Sequence, residues 1–125
     1  MRVGGPVETE AHAAEFAATL APGDVVFVEG ELGAGKTTWV RGAARALGFR
    51  GPVTSPTFTI GQVYAGGGAE IAHLDLYRLE SVDPWLLDDY VTPERIAFVE
   101  WPKGALEGRR VLIEHAGGDA REITT

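Results

Sequence analysis

Residues 30–37 read Gly30-Glu31-Leu32-Gly33-Ala34-Gly35-Lys36-Thr37. This octapeptide matches the pattern G-x-x-x-x-G-K-[ST], in which glycines allow a turn whose backbone N–H groups point inward toward phosphate oxygens. The apolar run from Val25 to Val28 precedes it and is typical of a strand buried on both faces. A stretch with helical spacing follows from Lys36 to about Leu47, and Gly48 closes it. The sequence therefore predicts a strand, a phosphate-binding loop and a helix in succession.

The motif also predicts which side chains meet a nucleotide. Lys36 is expected to reach the β- and γ-phosphates, and the Thr37 hydroxyl is expected to ligate Mg²⁺. Thr38 is expected to contact the α-phosphate through its hydroxyl or its amide. A magnesium site needs a second oxygen ligand, typically an acid at the end of a buried strand beside the loop. Asp75 and Glu100 both follow apolar runs in this way, and the pattern does not choose between them.

Outside this unit, the chain predicts one earlier helix and several later strands. Thr9 is expected to cap a helix that runs to about Leu20, since apolar residues recur there at three- and four-residue spacing. Strands are expected at residues 58–64, 70–76 and 96–100, a short acidic helix at 83–90, and a hairpin formed by 110–115 and 120–124. The pattern predicts an α/β layer fold with a mixed sheet, in a single domain over residues 1–125.

Composition and charge exclude several classes of protein. The 125 residues carry a formal net charge of −7, and residues 70–100 hold eight acidic groups against two basic ones. A protein that coats a nucleic-acid duplex usually shows the opposite balance, so nucleic acid is not expected to be the main direct ligand. The chain has no cysteine, which excludes disulfides and thiolate chemistry. No apolar run approaches the length that spans a bilayer, and residues 1–10 lack a signal-peptide core, so we expect a soluble, cytoplasmic protein.

The sequence also narrows the class of nucleotide-binding protein. A GTPase normally reads guanine with an Asn-Lys-x-Asp element, and this chain contains no asparagine. A small-molecule kinase needs an acceptor pocket and usually an arginine-bearing lid, for which little chain is left. A motor ATPase normally has a larger core. The class that remains is a minimal nucleotide-binding domain whose hydrolysis serves a partner.

Four motifs, found in order, make the chain similar to one family. They are residues 30–38 followed by Arg41 and Gly42, residues 55–59 (Ser-Pro-Thr-Phe-Thr), residues 73–79 (His-Leu-Asp-Leu-Tyr-Arg-Leu) and residues 99–102 (Val-Glu-Trp-Pro). Over nearly its whole length the chain resembles the bacterial tRNA threonylcarbamoyladenosine biosynthesis ATPase family, TsaE (YjeE). The resemblance implies a P-loop NTPase-like three-layer fold, with a parallel core sheet and antiparallel flanking strands. It also implies Mg²⁺-dependent hydrolysis of ATP to ADP beside the proteins TsaD and TsaB, which modify position 37 of tRNA.

The resemblance assigns roles to single residues. Glu100 corresponds to the family's magnesium-binding acid and Thr37 to its hydroxyl ligand. Asp75 matches an essential aspartate, which we assign to positioning the attacking water or a metal-bound water. Trp101 is expected near the nucleotide, and Thr9 near the adenine. The remaining expected nucleotide contacts are the loop residues Gly33, Ala34, Gly35, Lys36, Thr37 and Thr38, and the expected catalytic groups are Lys36, Asp75 and Glu100.

Several interpretations stay open. The segment 80–95, between Leu79 and Ile96, departs from the family pattern, so a partner contact or a regulatory role there is in doubt. His73 and Asp75 alternate on a strand and share a face, and a structural histidine is favoured over a metal pair because a third ligand is missing. The loop around Ser55 and Thr57 suits either turn chemistry or γ-phosphate sensing, and the resemblance favours sensing. Hydrolysis of ATP by the isolated chain is expected to be slow, because no arginine finger is evident. The alternatives to an ATPase are a nucleotide-gated binding module with incidental hydrolysis and a small-molecule kinase.

Overall fold

Seven strands and three helices make up the part of the chain that a computed structural model describes, which is residues 1–55, 60–66, 68–103 and 107–125. In chain order they are β1 (Arg2–Val3), α1 (Pro6–Ala17), β2 (Val25–Glu29), α2 (Lys36–Ala46), β3 (Gly61–Gly66), β4 (Ala69–Asp75), α3 (Pro84–Asp88), β5 (Arg95–Glu100), β6 (Arg109–His115) and β7 (Arg121–Thr124).

All seven strands join in a sheet of order β1-β7-β6-β2-β5-β4-β3. The four central strands, β6, β2, β5 and β4, are parallel to one another. The strands that flank this core, β3 on one side and β7 and β1 on the other, pair antiparallel with their neighbours. The expected mixed sheet with a parallel core is therefore confirmed. Because β2 lies between β5 and β6, the loop that follows it opens at the middle of the carboxyl edge of the parallel core.

The central strands β2, β5 and β4 are buried on both faces of the sheet. On one face α1 and α2 pack together over Val26 and Val28 of β2, with Trp39 of α2 fully buried between Phe16 and Phe98. On the other face the smaller cluster around Phe27 includes Leu87 of α3. This alternation along β2 is the period-two pattern of a strand covered on both sides. The result is three layers, with the sheet in the middle.

The expected capping role of Thr9 is wrong. Helix α1 begins three residues earlier, with Gly5 as its first flanking residue and Pro6 in its first turn. The Glu8 carboxylate accepts a hydrogen bond from the Gly4 N–H at 2.6 Å, and the N-cap residue Gly5 has no capping side chain. Thr9 lies inside the helix, where its N–H donates to the Gly5 carbonyl. The helix also ends at Ala17, short of the expected end near Leu20.

The other expected elements are present, with ends that shift by a few residues. Pro84 opens the short helix α3 after Asp83, as the Asp-Pro pair predicts. Strand β1 was not expected from the sequence. Residues 58 and 59 of the expected strand 58–64, and Thr57 of the Ser-Pro-Thr-Phe-Thr motif, lie outside the described residues. None of the helices in the described ranges combines the length and the apolar character needed to cross a bilayer.

Candidate nucleotide site

The loop of residues 30–35 joins β2 to α2 at the middle of the sheet. Gly35 has a left-handed backbone (φ 103°) directly before the first residue of α2. A Cβ atom on Gly30 would lie 2.4 Å from the carbonyl oxygen of Ile113, so this close approach requires glycine. The first N–H groups of a helix have no partners inside it, and the positive end of the helix dipole lies beside them. This end of α2 therefore favours an anion.

The Lys36 ammonium lies inside the loop. Its side chain is almost fully buried, and Nζ donates 2.8 Å hydrogen bonds to the carbonyl oxygens of Gly30 and Glu31. The ring of Trp101 faces it, with 4.4 Å between Nζ and the ring centroid. Burial lowers the pKa of Lys36 below its ordinary value, although the charges of Glu100 and Asp75 oppose this shift. Two carbonyls and a ring face therefore hold the cation inside the loop, with two carboxylates nearby.

Of the two candidate acids, Glu100 is the one in contact with Thr37. Glu100 is the last residue of β5, and its register partner on β2 is Val28. The Thr37 hydroxyl donates to Glu100 Oε2 at 3.1 Å, with Oε1 at 3.4 Å. The Glu100 side chain is 4% exposed, so its carboxylate is held inside the protein rather than in solvent. The structure thus brings together the hydroxyl and the acid expected to ligate Mg²⁺.

Asp75 lies one strand further from the loop. It ends β4 and is the register partner of Glu100. Its Oδ2 accepts a hydrogen bond from the Ser55 hydroxyl at 3.1 Å, and its Oδ1 accepts one from the Tyr77 N–H at 2.9 Å. Asp75 therefore connects Ser55, in the loop expected to sense the γ-phosphate, to the edge of the sheet where the loop of residues 30–35 opens.

A small cavity gathers most of the expected nucleotide contacts. It has a volume of about 130 Å³, and its lining residues are Pro6, Thr9, Gly33, Ala34, Gly35, Thr38, Asp119 and Arg121. Thr9 reaches it from α1 although it does not cap that helix. Arg121 closes the cavity from β7, because its guanidinium donates to the carbonyl oxygens of Ala34 at 2.8 Å and Gly33 at 3.3 Å. The cavity is therefore a pocket on one flank of the loop.

Trp101 borders the opposite end of the loop. Its backbone has a φ of 53°, a left-handed value that is uncommon outside glycine. Its ring lies 4.8 Å from the ring of Tyr77, centroid to centroid, as well as over Lys36. Together with Glu29, Gly30 and Glu31 it lines a larger cavity of about 510 Å³. The aromatic pair places a broad apolar surface beside the lysine.

The sequence did not predict the contacts that three residues of this region make. His73 contacts Glu100, Tyr64 contacts His73, and Arg121 contacts the loop. Each contact joins residues on different strands or distant segments, which local spacing does not reveal. Within the described ranges, no group of three or more His, Asp and Glu side chains is arranged to hold a metal ion by itself.

The parallel core, the loop at the end of its central strand and the helix behind that loop define a P-loop NTPase-like protein of the α/β class. Comparison with known proteins agrees and is more specific. The model of the family "Threonylcarbamoyl adenosine biosynthesis protein TsaE" matches residues 4–123. The chain belongs to the TsaE family.

Individual relatives extend over most of the chain. The protein named "tRNA threonylcarbamoyladenosine biosynthesis protein TsaE" from Bacillus subtilis (strain 168) is 43% identical, over 98% of this chain and 82% of the relative. The protein of the same name from Streptomyces coelicolor is 40% identical, over 86% of this chain and 79% of the relative. A crystal structure titled as Bacillus subtilis YdiB superposes with a TM-score of 0.78 at 38% identity, covering 98% of this chain and 80% of that one.

Proposed function

We propose that this chain binds ATP and Mg²⁺ at the phosphate loop and hydrolyses ATP in support of N6-threonylcarbamoyladenosine formation in tRNA. In this proposal it acts with the proteins TsaB and TsaD in the cytoplasm, and tRNA is reached through that complex. The observation that carries the proposal is the loop with Lys36 buried inside it and Thr37 in contact with Glu100. Membership of the TsaE family, together with the names of its relatives, supports the pathway.

The residues present fit a magnesium ion. Thr37 and Glu100 offer a hydroxyl and a carboxylate, which are the hard oxygen ligands that Mg²⁺ prefers. Their oxygens lie 3.1 Å apart at the mouth of the loop. In the proposed complex these two residues would hold the ion. When bound, it would supply positive charge against the negative charge that develops on the transferred phosphoryl group.

The other residues act on the nucleotide itself. In this proposal the loop amides and Lys36 bind the phosphates, and we assign the nucleoside part of the nucleotide to the pocket lined by Thr9 and Arg121. Asp75 accepts hydrogen bonds from Ser55 and from the Tyr77 N–H, so its carboxylate is fixed at the sheet edge. We assign to it the orientation of the attacking water. This assignment requires a fixed acceptor, because a nucleophile must be held in line with the bond it breaks.

A partner is needed for fast turnover in this account. Arg78, the arginine of the third motif, has an exposed side chain and makes no ion pair with the described residues. A P-loop ATPase without an arginine at the transferred phosphate lacks much of its transition-state stabilisation. ATP turnover by the chain alone is therefore expected to be slow, and addition of TsaB and TsaD is expected to raise it. Equal rates with and without the two proteins would contradict partner-dependent hydrolysis.

The variant Asp75→Asn separates an ATPase from a nucleotide-gated binding module. It keeps an acceptor for the Tyr77 N–H and removes the charge, so nucleotide binding and complex assembly are expected to persist. If turnover is required, tRNA modification stops in this variant. Full modification by Asp75→Asn with turnover abolished would favour the binding module. Transfer of the γ-phosphate to a metabolite rather than to water would instead reveal a small-molecule kinase.

A further inference from the structure

The Glu100 carboxylate has a second buried partner besides Thr37. His73 Nε2 lies 2.5 Å from Glu100 Oε2, and the His73 side chain is fully buried. The two residues face each other across the parallel pair β4 and β5, where the register partner of His73 is Phe98. Oε2 therefore faces both the imidazole and the Thr37 hydroxyl, whereas Oε1 makes the longer contact with Thr37, at 3.4 Å.

His73 is itself held from behind by Tyr64. The Tyr64 hydroxyl lies 2.9 Å from His73 Nδ1 and 2.8 Å from Gln62 Oε1. The Tyr64 ring stacks on Phe49, with 4.7 Å between centroids and 19° between planes. Burial raises the pKa of Tyr64 to about 12, so the hydroxyl keeps its proton over the whole physiological range. The chain of contacts thus runs from β3 through β4 to the end of β5.

The proton of the Tyr64 hydroxyl bears on which residue donates in the contact between His73 and Glu100. A tyrosine hydroxyl has one proton to donate. If Tyr64 donates to His73 Nδ1, the neutral imidazole carries its proton on Nε2. The N–H of His73 Nε2 then donates to the Glu100 carboxylate, 2.5 Å away.

We propose that His73 is a positioning residue for the magnesium site: it holds Glu100 by Oε2, so that the carboxylate stays beside Thr37, where these two residues would hold the ion. This inference rests on the proposed function. A glutamate side chain loses rotamer freedom when it binds a metal, and a buried donor that orders it beforehand reduces that cost. Hydrogen-bond partners behind metal ligands commonly change metal affinity by about 10–100-fold. Tyr64 orients His73 in the same way.

A purely structural histidine is the competing explanation. In that case the side chain of His73 only packs in the core, and its contact with Glu100 only satisfies buried polar groups. Loss of His73 would then lower the stability of the fold and would affect nucleotide binding with and without metal alike. The two explanations differ in one quantity, the affinity for Mg²⁺ of the complex between protein and ADP.

Two amide variants separate these explanations. The glutamine amide nitrogen reaches the place of Nε2, so His73→Gln keeps a donor to Glu100. The shorter asparagine reaches only the place of Nδ1, so His73→Asn keeps a polar group facing Tyr64 and loses the donor. The two variants are matched in chemistry. Thermal unfolding monitors the fold of each, and calorimetric titration of ADP over a range of Mg²⁺ concentrations gives the affinity for the metal.

The expected result is specific to the metal. In His73→Asn the dissociation constant for Mg²⁺ in the ADP complex rises roughly 10–100-fold, in line with the loss of one hydrogen-bond partner of a metal ligand. Metal-free ADP affinity stays at the level of the parent, and His73→Gln recovers most of the Mg²⁺ affinity. Equal Mg²⁺ affinity in His73→Asn and the parent, or equal losses in both variants, would overturn the inference.

A second variant covers the case in which His73→Asn does not fold. Tyr64→Phe removes the hydroxyl behind His73 and leaves the ring on Phe49. A smaller loss of Mg²⁺ affinity is expected in this variant, with metal-free ADP binding unchanged, and no loss would overturn the inference. Measurements on the parent protein separate a failure of the proposed function from a failure of the role of His73. A parent that does not bind ADP, or binds it identically with and without Mg²⁺, removes the proposed function as well as the role of His73.

Discussion

At the residue scale, the candidate site centres on Thr37 and Glu100, whose side-chain oxygens lie 3.1 Å apart. Lys36 and Thr37 follow from the loop pattern because their positions depend only on neighbouring residues. The pattern does not choose between Asp75 and Glu100, because both end apolar strands. The choice needs the register of β5 beside β2, which places Glu100 next to Thr37. His73 shares this limit, since its contact with Glu100 exists only once β4 and β5 are paired.

The contact between Thr37 and Glu100 predicts the effect of Glu100→Gln. The substitution keeps the shape and removes the charge that attracts a cation. We expect the Mg²⁺ affinity of the ADP complex to fall by at least about tenfold, since even the outer partners of a metal ligand have effects of this size. Metal-free ADP affinity is expected to stay at the parent level or rise, because a negative charge near the phosphates is gone. Calorimetry with and without Mg²⁺ measures both quantities.

Glu31→Gln is the matched control for this substitution. Glu31 belongs to the same loop, but its side chain is exposed. Its loss of charge is therefore expected to leave the Mg²⁺ affinity close to that of the parent. Equal effects of the two substitutions would show that Glu100 acts only through the general negative potential of the site.

At the scale of elements, the close pairing of α1 and α2 supports the loop. A Cβ atom on Gly42 would lie 2.4 Å from the carbonyl oxygen of Glu10 and 2.5 Å from its Cα atom. Both atoms belong to the backbone of α1, so they cannot turn aside as a flexible side chain would. The helices therefore approach each other at a point where only glycine fits.

This approach predicts that Gly42→Ala destabilises the protein. In an open helix the change would stabilise by about 1 kcal/mol through helix propensity. Here we expect a net loss of about 1–3 kcal/mol in the free energy of unfolding, as for other overpacked sites. Urea unfolding measures it. Ala46→Ser adds one heavy atom at an exposed position of the same helix and is expected to change the stability by about 0.5 kcal/mol or less. A stabilised Gly42→Ala would contradict the described packing of α1 on α2.

A second contact between the same helices makes stability depend on pH. The indole N–H of Trp39 donates to His12 Nδ1 at 3.0 Å, which requires that nitrogen to be unprotonated. Burial, and next the charge of the N-terminus, lowers the pKa of His12 from its ordinary value of 6.5. Between 6.5 and the lowered pKa the unfolded chain binds more protons than the folded one, so stability is lost as the pH falls from 6.5 through the lowered pKa of folded His12.

We therefore expect His12→Asn to remove part of the acid sensitivity. Asparagine offers an oxygen near the place of Nδ1 and does not titrate. The stability lost by the parent between about pH 7.5 and 5.5 is expected to exceed that of the variant by about 1 kcal/mol, the usual net value of one hydrogen bond. Urea unfolding at several pH values measures this, with His115→Asn, at an exposed position at the end of β6, as the control. Parallel curves for the parent and His12→Asn would exclude this role of His12.

The element boundaries show where sequence reasoning fails. The strand-loop-helix unit and the terminal hairpin are read correctly because their apolar patterns and turns are local. Thr9 is wrongly predicted as a cap because α1 begins after Gly5, which has no capping side chain that a sequence pattern could identify. Strand β1 has only two residues, and its partner β7 is at the other end of the chain. A strand this short has no pattern of its own.

At the scale of the whole molecule, the candidate site depends on the complete sheet. The loop follows β2, Glu100 ends β5, and Arg121 comes from β7. These elements are far apart in sequence and meet only in the folded chain. A ligand bound there therefore stabilises the folded state as a whole, by about 2.7 kcal/mol at a concentration of one hundred times its dissociation constant.

Calorimetric titration of a non-hydrolysable ATP analogue, in the presence of Mg²⁺, tests the central claim that the loop binds a nucleoside triphosphate. The parent is expected to bind one equivalent. Lys36→Ala is expected to bind roughly 10–150-fold more weakly, which corresponds to the loss of about 1.5–3 kcal/mol from hydrogen bonds to a charged group. Arg45→Ala, which removes an exposed cation of the same helix paired with Glu10, is expected to match the parent. A parent that does not bind the analogue, or a Lys36→Ala variant that binds it equally well, would contradict the account.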